Sequence, residues 1–228
     1  DRPKAIFSVV AWSWVGCVLI GMLPYLFAGV FPWSRIDNAL FETISGFSTT
    51  GSTVLRDIEA TSSGILFWRQ LTQWYGGMGI IVLAVTVLPS LGVGGLQLMT
   101  AESPGHESDK LRARSIDTAK SLWLVYFGVT ITIALLLWAT PSVGLYDAVA
   151  HGLSTAAIGG FSTKNGSIGS FDSYIVELII VFGMFIGAMN YNLQYKFWKS
   201  KGNFRVFTRS SEWNLYVRIT LSFIGVIF

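Results

Sequence analysis

The sequence predicts an all-α membrane protein made of repeated helix–pore-helix–helix units around a central pore, with two complete units and the start of a third. Two observations predict this fold. Apolar runs of bilayer length recur along a chain that is 52% hydrophobic and only 13% charged. Between such runs lies a short amphipathic segment that ends in a turn of glycine and hydroxyl residues, and this arrangement occurs twice.

The first unit is predicted over residues 1–89 and begins with an uncharged run from Ile6 to Ala28. A run of that length can cross the hydrocarbon core as a helix. Residues 37–45 are too few to cross but carry an apolar stripe, so we expect a half-length pore helix, with an amphipathic surface helix as the alternative. Gly64 to Leu88 is the second spanning run.

Several residues inside these runs carry expectations of their own. Arg69 lies about one turn inside the second run, where it either reaches the interface or pairs with Glu42 or Glu59. The sequence Gly76-Gly-Met-Gly79 allows close helix packing or a local break, and we favour packing. Cys17, the single cysteine, is expected to be a small buried residue.

The same pattern then starts again. Residues 90–117 are predicted to form a polar connection, and His106 within it has no partners at metal-ligand spacing. The second unit, 118–195, holds a spanning run over 121–139, a short helix over 146–154 and a spanning run over 174–192. A second connection follows at 196–212, and a third unit begins at 213–228.

The turn after the first short helix carries the functional hypothesis. It reads Gly46-Phe-Ser-Thr-Thr-Gly-Ser-Thr53, and such small residues add little to a packed core. They can instead turn backbone carbonyls toward a dehydrated cation, as in the K⁺ channels where rings of carbonyls replace the hydration shell. We therefore predict that Ser48 to Thr53 forms one wall of an ion-selectivity filter.

Two alignments relate this turn to the second one. An offset of 109 residues pairs Gly51 with Gly160 and gives both short helices the same length. An offset of 114 instead superposes the two Gly-Phe-Ser-Thr strings. We prefer 109, because equal helices hold both turns at one depth. A carbonyl ring of about four walls then implies a four-unit pore in a longer chain.

Charge placement predicts the orientation of the chain. The N-terminal end and both connections share eleven basic residues: Arg2, Lys4, Lys110, Arg112, Arg114, Lys120, Lys196, Lys199, Lys201, Arg205 and Arg209. The side with the turns has three, namely Arg35, Arg56 and Lys164. Basic residues are enriched in cytoplasmic loops, so we expect the connections in the cytoplasm and the filters toward the outside.

A membrane enzyme is the alternative from another class. His151 precedes Ser154 by three residues, a pairing that an intramembrane serine protease would need within hydrogen-bond reach. Both residues lie on one short helix, however, and no spanning run supplies another base. We therefore expect His151 to be a polar residue packed behind the second turn.

Three segments, residues 41–53, 67–80 and 155–163, resemble the Trk/Ktr/HKT superfamily of potassium transporters, and most closely its bacterial TrkH membrane subunits. The resemblance implies four repeats, K⁺ passage and a multi-pass homodimer in the bacterial inner membrane. It also implies a cytosolic regulatory ring of nucleotide-binding TrkA-type subunits. K⁺ is then the transported ion, with no organic cofactor, no nucleic-acid partner and no enzymatic activity.

The resemblance also assigns the filter residue by residue. It places the filter at Thr49, Thr50 and Gly51 in the first unit and at Ile158, Gly159 and Gly160 in the second, with K⁺ bound at Thr49, Thr50, Ile158 and Gly159. Glycine at position 51 favours K⁺, because some HKT members with serine there favour Na⁺. A Na⁺-coupled Ktr- or HKT-type cation transporter is the alternative within the transport class.

Overall fold

A computed structural model of the chain describes residues 2–86 and 107–227, with side chains described over 8–79 and 119–226. His106 and most of the first predicted connection lie outside the described residues. The α-helices of the described ranges are α1 (Arg2–Gly21), α2 (Leu23–Phe27), α3 (Ile36–Phe47), α4 (Ser63–Thr86), α5 (Glu107–Trp138), α6 (Leu145–Ala156), α7 (Tyr174–Gly187), α8 (Tyr191–Lys199), α9 (Arg205–Thr208) and α10 (Ser211–Ile227). Short 3₁₀ turns cover Trp33–Arg35 and Ser167–Phe171.

The described helices fall into two compact parts, which divide between Gly187 and Ala188. In the first part, α4 packs against α3, α5 and α6, and so stands between the two short helices. In the second part, the Asn190 side chain caps α8 and also donates to the Glu212 carboxylate at 2.9 Å. The finer repeat boundaries given above stay predictions.

The first part buries charged and polar side chains along with its apolar core and exposes many large apolar side chains, unlike a water-soluble protein. Glu42, Arg69 and Gln73 are 0% exposed, whereas Trp12 is 73% and Phe182 62% exposed. Within the described residues, Ser8–Phe27 and Ala119–Trp138 are each long and apolar enough to cross a membrane, and a third crossing results if α7 and α8 form one broken span. An apolar exterior is stable against lipid, which confirms the predicted all-helical membrane fold.

The two short helices confirm the offset of 109 residues. Helices α3 and α6 are both 12 residues long, and their first and last residues differ in number by 109. Beyond them, Thr49 and Ile158 have φ values of 54° and 55°, and Gly51 and Gly160 have 76° and 85°. Because the left-handed conformation recurs at matching positions, the two turns have the same backbone path.

The long helices meet the short ones at glycines. A Cβ on Gly76 of α4 would run into the carbonyl of Phe47, the last residue of α3. A Cβ on Gly187 of α7 would lie 3.1 Å from the carbonyl of Ala156, the last residue of α6. The prediction that the glycines of α4 serve close packing is confirmed, because α4 continues through them without a break.

At a neighbouring contact, the two halves place glycine and threonine on opposite helices. In the first half, Gly46 of α3 touches the Thr72 side chain of α4. In the second half, the positions are reversed, and Thr155 of α6 touches Gly183 of α7. Each interface therefore holds one glycine and one threonine, and the threonine side chain fills the space beside the glycine.

Several helix ends differ from the predicted segments. The spanning run predicted over 121–139 agrees with the apolar stretch Ala119–Trp138, but the helix that contains it already begins at Glu107, because the charged segment before it is rich in helix-forming residues. The run expected to reach Asn192 ends at Gly187, since Asn190 caps a new helix. The connection over 196–212 is also partly helical, as it holds the end of α8 and all of α9.

The prediction for Cys17 is also wrong. Cys17 is exposed on α1. Its neighbours Trp12, Val15 and Leu19 are exposed as well, so this face of α1 is apolar and outward. An apolar thiol has no need of burial when the outer surface faces lipid.

Candidate ion-selectivity site

The backbone N–H groups of both turns point back into the short helices. Thr49 N–H donates to the Gly46 carbonyl at 2.9 Å, and Thr50 N–H donates to the Ser45 carbonyl at 3.0 Å. In the second turn, Ile158 and Gly159 make the matching bonds at 3.0 and 2.8 Å. These bonds use the carbonyls that the last turn of each helix leaves free.

The carbonyls of the turns are thereby left for another use. Ser48 is right-handed at φ −81° and ψ 1°, and Thr49 after it is left-handed. Such an alternation brings successive N–H groups to one side of the chain, so the carbonyls face the other side. Within the described part of the chain, the carbonyls of Thr49, Thr50 and Ile158 accept no hydrogen bond. They are free to act as cation ligands.

The two turns contact one another. A Cβ on Gly51 would lie 3.3 Å from the Gly160 Cα and would run into the Gly159 carbonyl oxygen. Gly51 also has a φ of 76°, which side chains rarely adopt. Glycine is therefore required at position 51 both by its own backbone and by the approach of the second turn.

A buried ion pair lies behind the first turn. Arg69 Nε of α4 donates to Glu42 Oε1 of α3 at 2.8 Å, and both side chains are fully buried. The Glu42 carboxylate also accepts from Thr53 Oγ1 at 2.8 Å and from Val54 N–H at 3.0 Å, which anchors the segment after the turn. Of the expectations for Arg69, pairing with Glu42 is confirmed.

Arg69 also reaches the second turn. Its Nη1 donates to the Ser162 carbonyl at 3.2 Å, and its guanidinium lies over the Phe161 ring at 4.0 Å from the centroid. A positively charged guanidinium over an aromatic face is an attractive contact. One side chain of α4 thus bridges the segments that follow both turns.

A histidine replaces the carboxylate behind the second turn. The offset of 109 maps Glu42 onto His151 and Thr53 onto Ser162, and these residues are bonded in the same way, His151 Nε2 to Ser162 Oγ at 2.9 Å. His151 Nδ1 lies 2.8 Å from the Asp147 carbonyl, an acceptor, so Nδ1 carries the proton and Nε2 accepts from Ser162. The prediction that His151 packs behind the turn is confirmed.

Gln73 of α4 makes three contacts with the second half. Its Nε2 donates to the Gly159 carbonyl at 2.7 Å. Its Oε1 accepts from Ser154 Oγ at 2.7 Å and from Phe161 N–H at 3.2 Å. Sequence analysis gave Gln73 no role, because its partners lie more than eighty residues further along the chain. The pairing that the serine protease alternative needs is not formed, since Ser154 Oγ donates to Gln73 and His151 Nε2 is bonded to Ser162 instead.

The loops beyond the turns are joined as well. Asn165 Nδ2 donates to Asp57 Oδ1 at 2.9 Å, and its Oδ1 accepts from Ile58 N–H at 2.7 Å. The hydrogen bond from Asn165 holds the pKa of the exposed Asp57 carboxyl below its ordinary value. The halves are therefore linked at the loops, at the turns and through α4.

This arrangement defines a class of membrane protein. Two half-length helices end at one place, and the first N–H groups of the turn after each helix bond back to that helix. Within the described residues, the carbonyls of Thr49, Thr50 and Ile158 accept no hydrogen bond. The C-terminal ends of the helices also carry partial negative charge, which favours a cation beyond them. The fold and the site are those of a pore-helix cation-transport protein.

Comparison with known proteins gives the family. The chain belongs to the TrkH family of cation transport proteins, whose family model matches residues 2–226. It is 42% identical over 227 residues to the Trk system potassium uptake protein TrkH of Salmonella typhimurium, a match that covers 99% of this chain and 46% of the relative. The Trk system potassium uptake protein TrkG of Escherichia coli is 39% identical over 197 residues, 85% of this chain and 40% of the relative.

A solved structure agrees with these relatives. The crystal structure of the potassium transporter TrkH from Vibrio parahaemolyticus matches with a TM-score of 0.83 at 35% sequence identity. The match covers 99% of this chain and 45% of the other. The chain therefore spans about half the length of the curated relatives and of the solved structure that it matches.

Proposed function

We propose that the protein takes up K⁺ through a selectivity filter of backbone carbonyls, of which this chain supplies two walls. The observation that carries the proposal is the pair of turns, which have matching left-handed residues and touch at Gly51. The carbonyls of Thr49, Thr50 and Ile158 in these turns accept no hydrogen bond within the described residues. Dehydrated K⁺ is stabilised by several carbonyl oxygens at once. The names of the relatives, potassium uptake proteins, support K⁺ as the ion.

The proposed ligands are the carbonyl groups at Thr49, Thr50, Ile158 and Gly159, with Gly51 and Gly160 supplying the left-handed backbone. Gly159 differs from the other three, because its oxygen also accepts a hydrogen bond from Gln73. Ile158 is no obstacle, since its side chain is 43% exposed and its carbonyl is free of other bonds within the described residues.

We further propose that the complete pore has four such units. The offset of 109 supports this, because α3 and α6 are equivalent but differently covered. Leu153 of α6 is 8% exposed, whereas its equivalent Ile44 of α3 is 47% exposed and lines an apolar cavity of about 650 Å³ with Trp14 and Val18. A further repeat seated there would cover α3 in the way that α4 covers α6.

The membrane setting and the partners are part of the proposal. The apolar exterior supports a lipid bilayer, and the family resemblance supports a bacterial inner membrane. The excess of basic residues in the connections supports an orientation in which the filters face outward. Assembly as a homodimer with a ring of TrkA-type subunits rests on the family resemblance, and the name "Trk system" supports a partnership with other Trk components.

The test is rubidium and potassium uptake into liposomes that contain the full-length protein with this chain. We expect K⁺ uptake by the parent and its loss in Gly51→Ala, because the new Cβ would meet the Gly159 carbonyl. Gly29→Ala is the matched control: Gly29 has a φ of 69° but nothing within 4 Å of its Cβ position. Both variants carry the backbone strain of about 1–3 kcal/mol, but only one disturbs the turns.

Two results would contradict the proposal. The first is a parent protein that is folded but passes no K⁺ or Rb⁺. The second is a Gly51→Ala variant that keeps both the uptake rate and the preference for K⁺ over Na⁺. If Gly51→Ala and Gly29→Ala lose K⁺ uptake equally, the loss comes from backbone strain. The contact between the turns then no longer supports the proposed filter.

A further inference from the structure

We propose that Gln73 is a positioning residue for ion selectivity: from the first half of the chain, it fixes the orientation of the Gly159 carbonyl in the second turn. The inference rests on the proposed function and deepens it, because it names a residue outside both turns that sets their discrimination between K⁺ and Na⁺.

The orientation of the Gln73 amide is determined by its partners. Phe161 N–H can only donate, and it lies 3.2 Å from one end of the amide, which must therefore be the acceptor Oε1. The other end is then Nε2, the donor, and it lies 2.7 Å from the Gly159 oxygen. Ser154 Oγ donates to the same Oε1 at 2.7 Å, which adds a second restraint.

The amide is rigidly held. Gln73 is 0% exposed and Ser154 is 3% exposed, so water does not compete for these bonds. The side chain also fills the space beside Gly159, where a Cβ would run into it. On its other side, the Gly159 oxygen lies against Gly51 of the first turn. The carbonyl is therefore restrained from two directions.

Restraint matters because a glycine peptide rotates easily. Residues 159 and 160 are both glycine, so their own side chains offer no resistance to rotation of the peptide between them. Selectivity in a carbonyl filter depends on the number and arrangement of the oxygens that face the ion. Without the donor of Gln73, several orientations of the Gly159 carbonyl become accessible, and a smaller ion is better accommodated.

The experiment compares three variants of the full-length protein in liposomes, with the K⁺-to-Na⁺ uptake ratio as the measurement. Gln73→Met keeps the length of the side chain but removes all three of its hydrogen bonds, including the one to the Gly159 carbonyl. We expect the ratio to fall about three- to tenfold, the effect of the one buried bond that reaches that carbonyl. Ser154→Ala removes one bond to Oε1 but leaves the donor to Gly159 in place, so we expect the ratio to fall by less than about twofold.

Thr130→Val is the matched control. It removes the buried bond from Trp74 Nε1 to Thr130 Oγ1 (3.0 Å), next to Gln73 in sequence but directed at α5 rather than at a turn. We expect its ratio to equal that of the parent. Elution of the purified protein reports folding, and because the ratio is measured within one sample, it is independent of how much protein is active.

The outcomes separate the two proposals. A parent that passes neither ion contradicts the proposed function and this inference with it. A selective parent together with an unchanged ratio in Gln73→Met overturns the inference alone, as does an equal fall in Thr130→Val. If Gln73→Met does not fold, Gln73→Leu replaces it, and an unchanged ratio there overturns the inference too.

Discussion

The buried pair of Glu42 and Arg69 gives the sharpest stability prediction. We expect Arg69→Met and Glu42→Gln each to lower the free energy of unfolding by about 3–5 kcal/mol, because each leaves an uncompensated charge in a buried site. Both side chains are 0% exposed, and their atoms are 2.8 Å apart. We expect the double variant to be more stable than either single variant, since it buries no charge.

The magnitude follows from what each variant leaves behind. Without Arg69, the Glu42 carboxylate keeps its bonds from Thr53 and Val54 but has no positive partner. Without the carboxylate, Arg69 keeps the Ser162 carbonyl and the Phe161 ring and can donate to a neutral amide oxygen at position 42. Its Nη2 has no hydrogen-bond partner among the described residues. In neither variant do the remaining contacts neutralise the charge that stays buried.

The assay is reversible unfolding of the full-length protein in mixed detergent micelles, read as a double-mutant cycle. Arg56→Met is the control: it removes a basic residue that is exposed in a loop, and we expect a change within about 0.5 kcal/mol. Additive losses in the double variant, of about 6–10 kcal/mol, would refute the reasoning, because independent sites add and a coupled pair does not.

Two further predictions concern packing and pH. Gly76→Ala should destabilise the protein by about 1–3 kcal/mol, because its Cβ meets the Phe47 carbonyl, whereas Gly64→Ala on the same helix meets nothing and should be neutral or stabilising by up to about 1 kcal/mol in the same unfolding assay. Asn165→Ala should raise the pKa of Asp57 toward its ordinary value of 3.8, as measured by carboxyl NMR titration. The Ala60 N–H still donates to the carboxylate in that variant, so part of the lowering remains. Because the folded pKa is lowered, the stability that Asp57 contributes is present above pH 3.8 and is lost as pH falls through the folded pKa; a parent and variant with the same acid sensitivity would contradict this.

The fold could largely be predicted because its signals are local. Apolar length marked the spanning helices, and the two short amphipathic segments, aligned at equal length, matched α3 and α6. The helix start at Glu107 and the helix end at Gly187 escape sequence analysis for opposite reasons. The charged residues before 118 predict a polar connection, although Glu, Lys, Leu, Arg and Ala are good helix formers. At Gly187, hydropathy continued past the break, and the cap at Asn190 was the signal to use.

The candidate site was only half predictable. The turns at Gly51 and Gly160 carry a sequence pattern, whereas the side chains that support them do not. Arg69 attracted notice as a charge in an apolar run, so its partner Glu42 could be proposed. Gln73 is uncharged, and its bonds join positions more than eighty residues apart, which no periodicity within one helix reveals. Such long-range polar contacts can be recognised only in the three-dimensional structure.

The exchange of Gly46 and Thr72 for Thr155 and Gly183 has a consequence for engineering. Both halves hold one glycine and one threonine at this contact, but the threonine comes from the long helix in the first half and from the short helix in the second. A chimera that transplants α6 into the place of α3 would set threonine against threonine, and the reverse graft would leave glycine against glycine. The unit to graft is therefore the short helix together with the long helix that follows it. Grafts between the halves should move both helices as one piece.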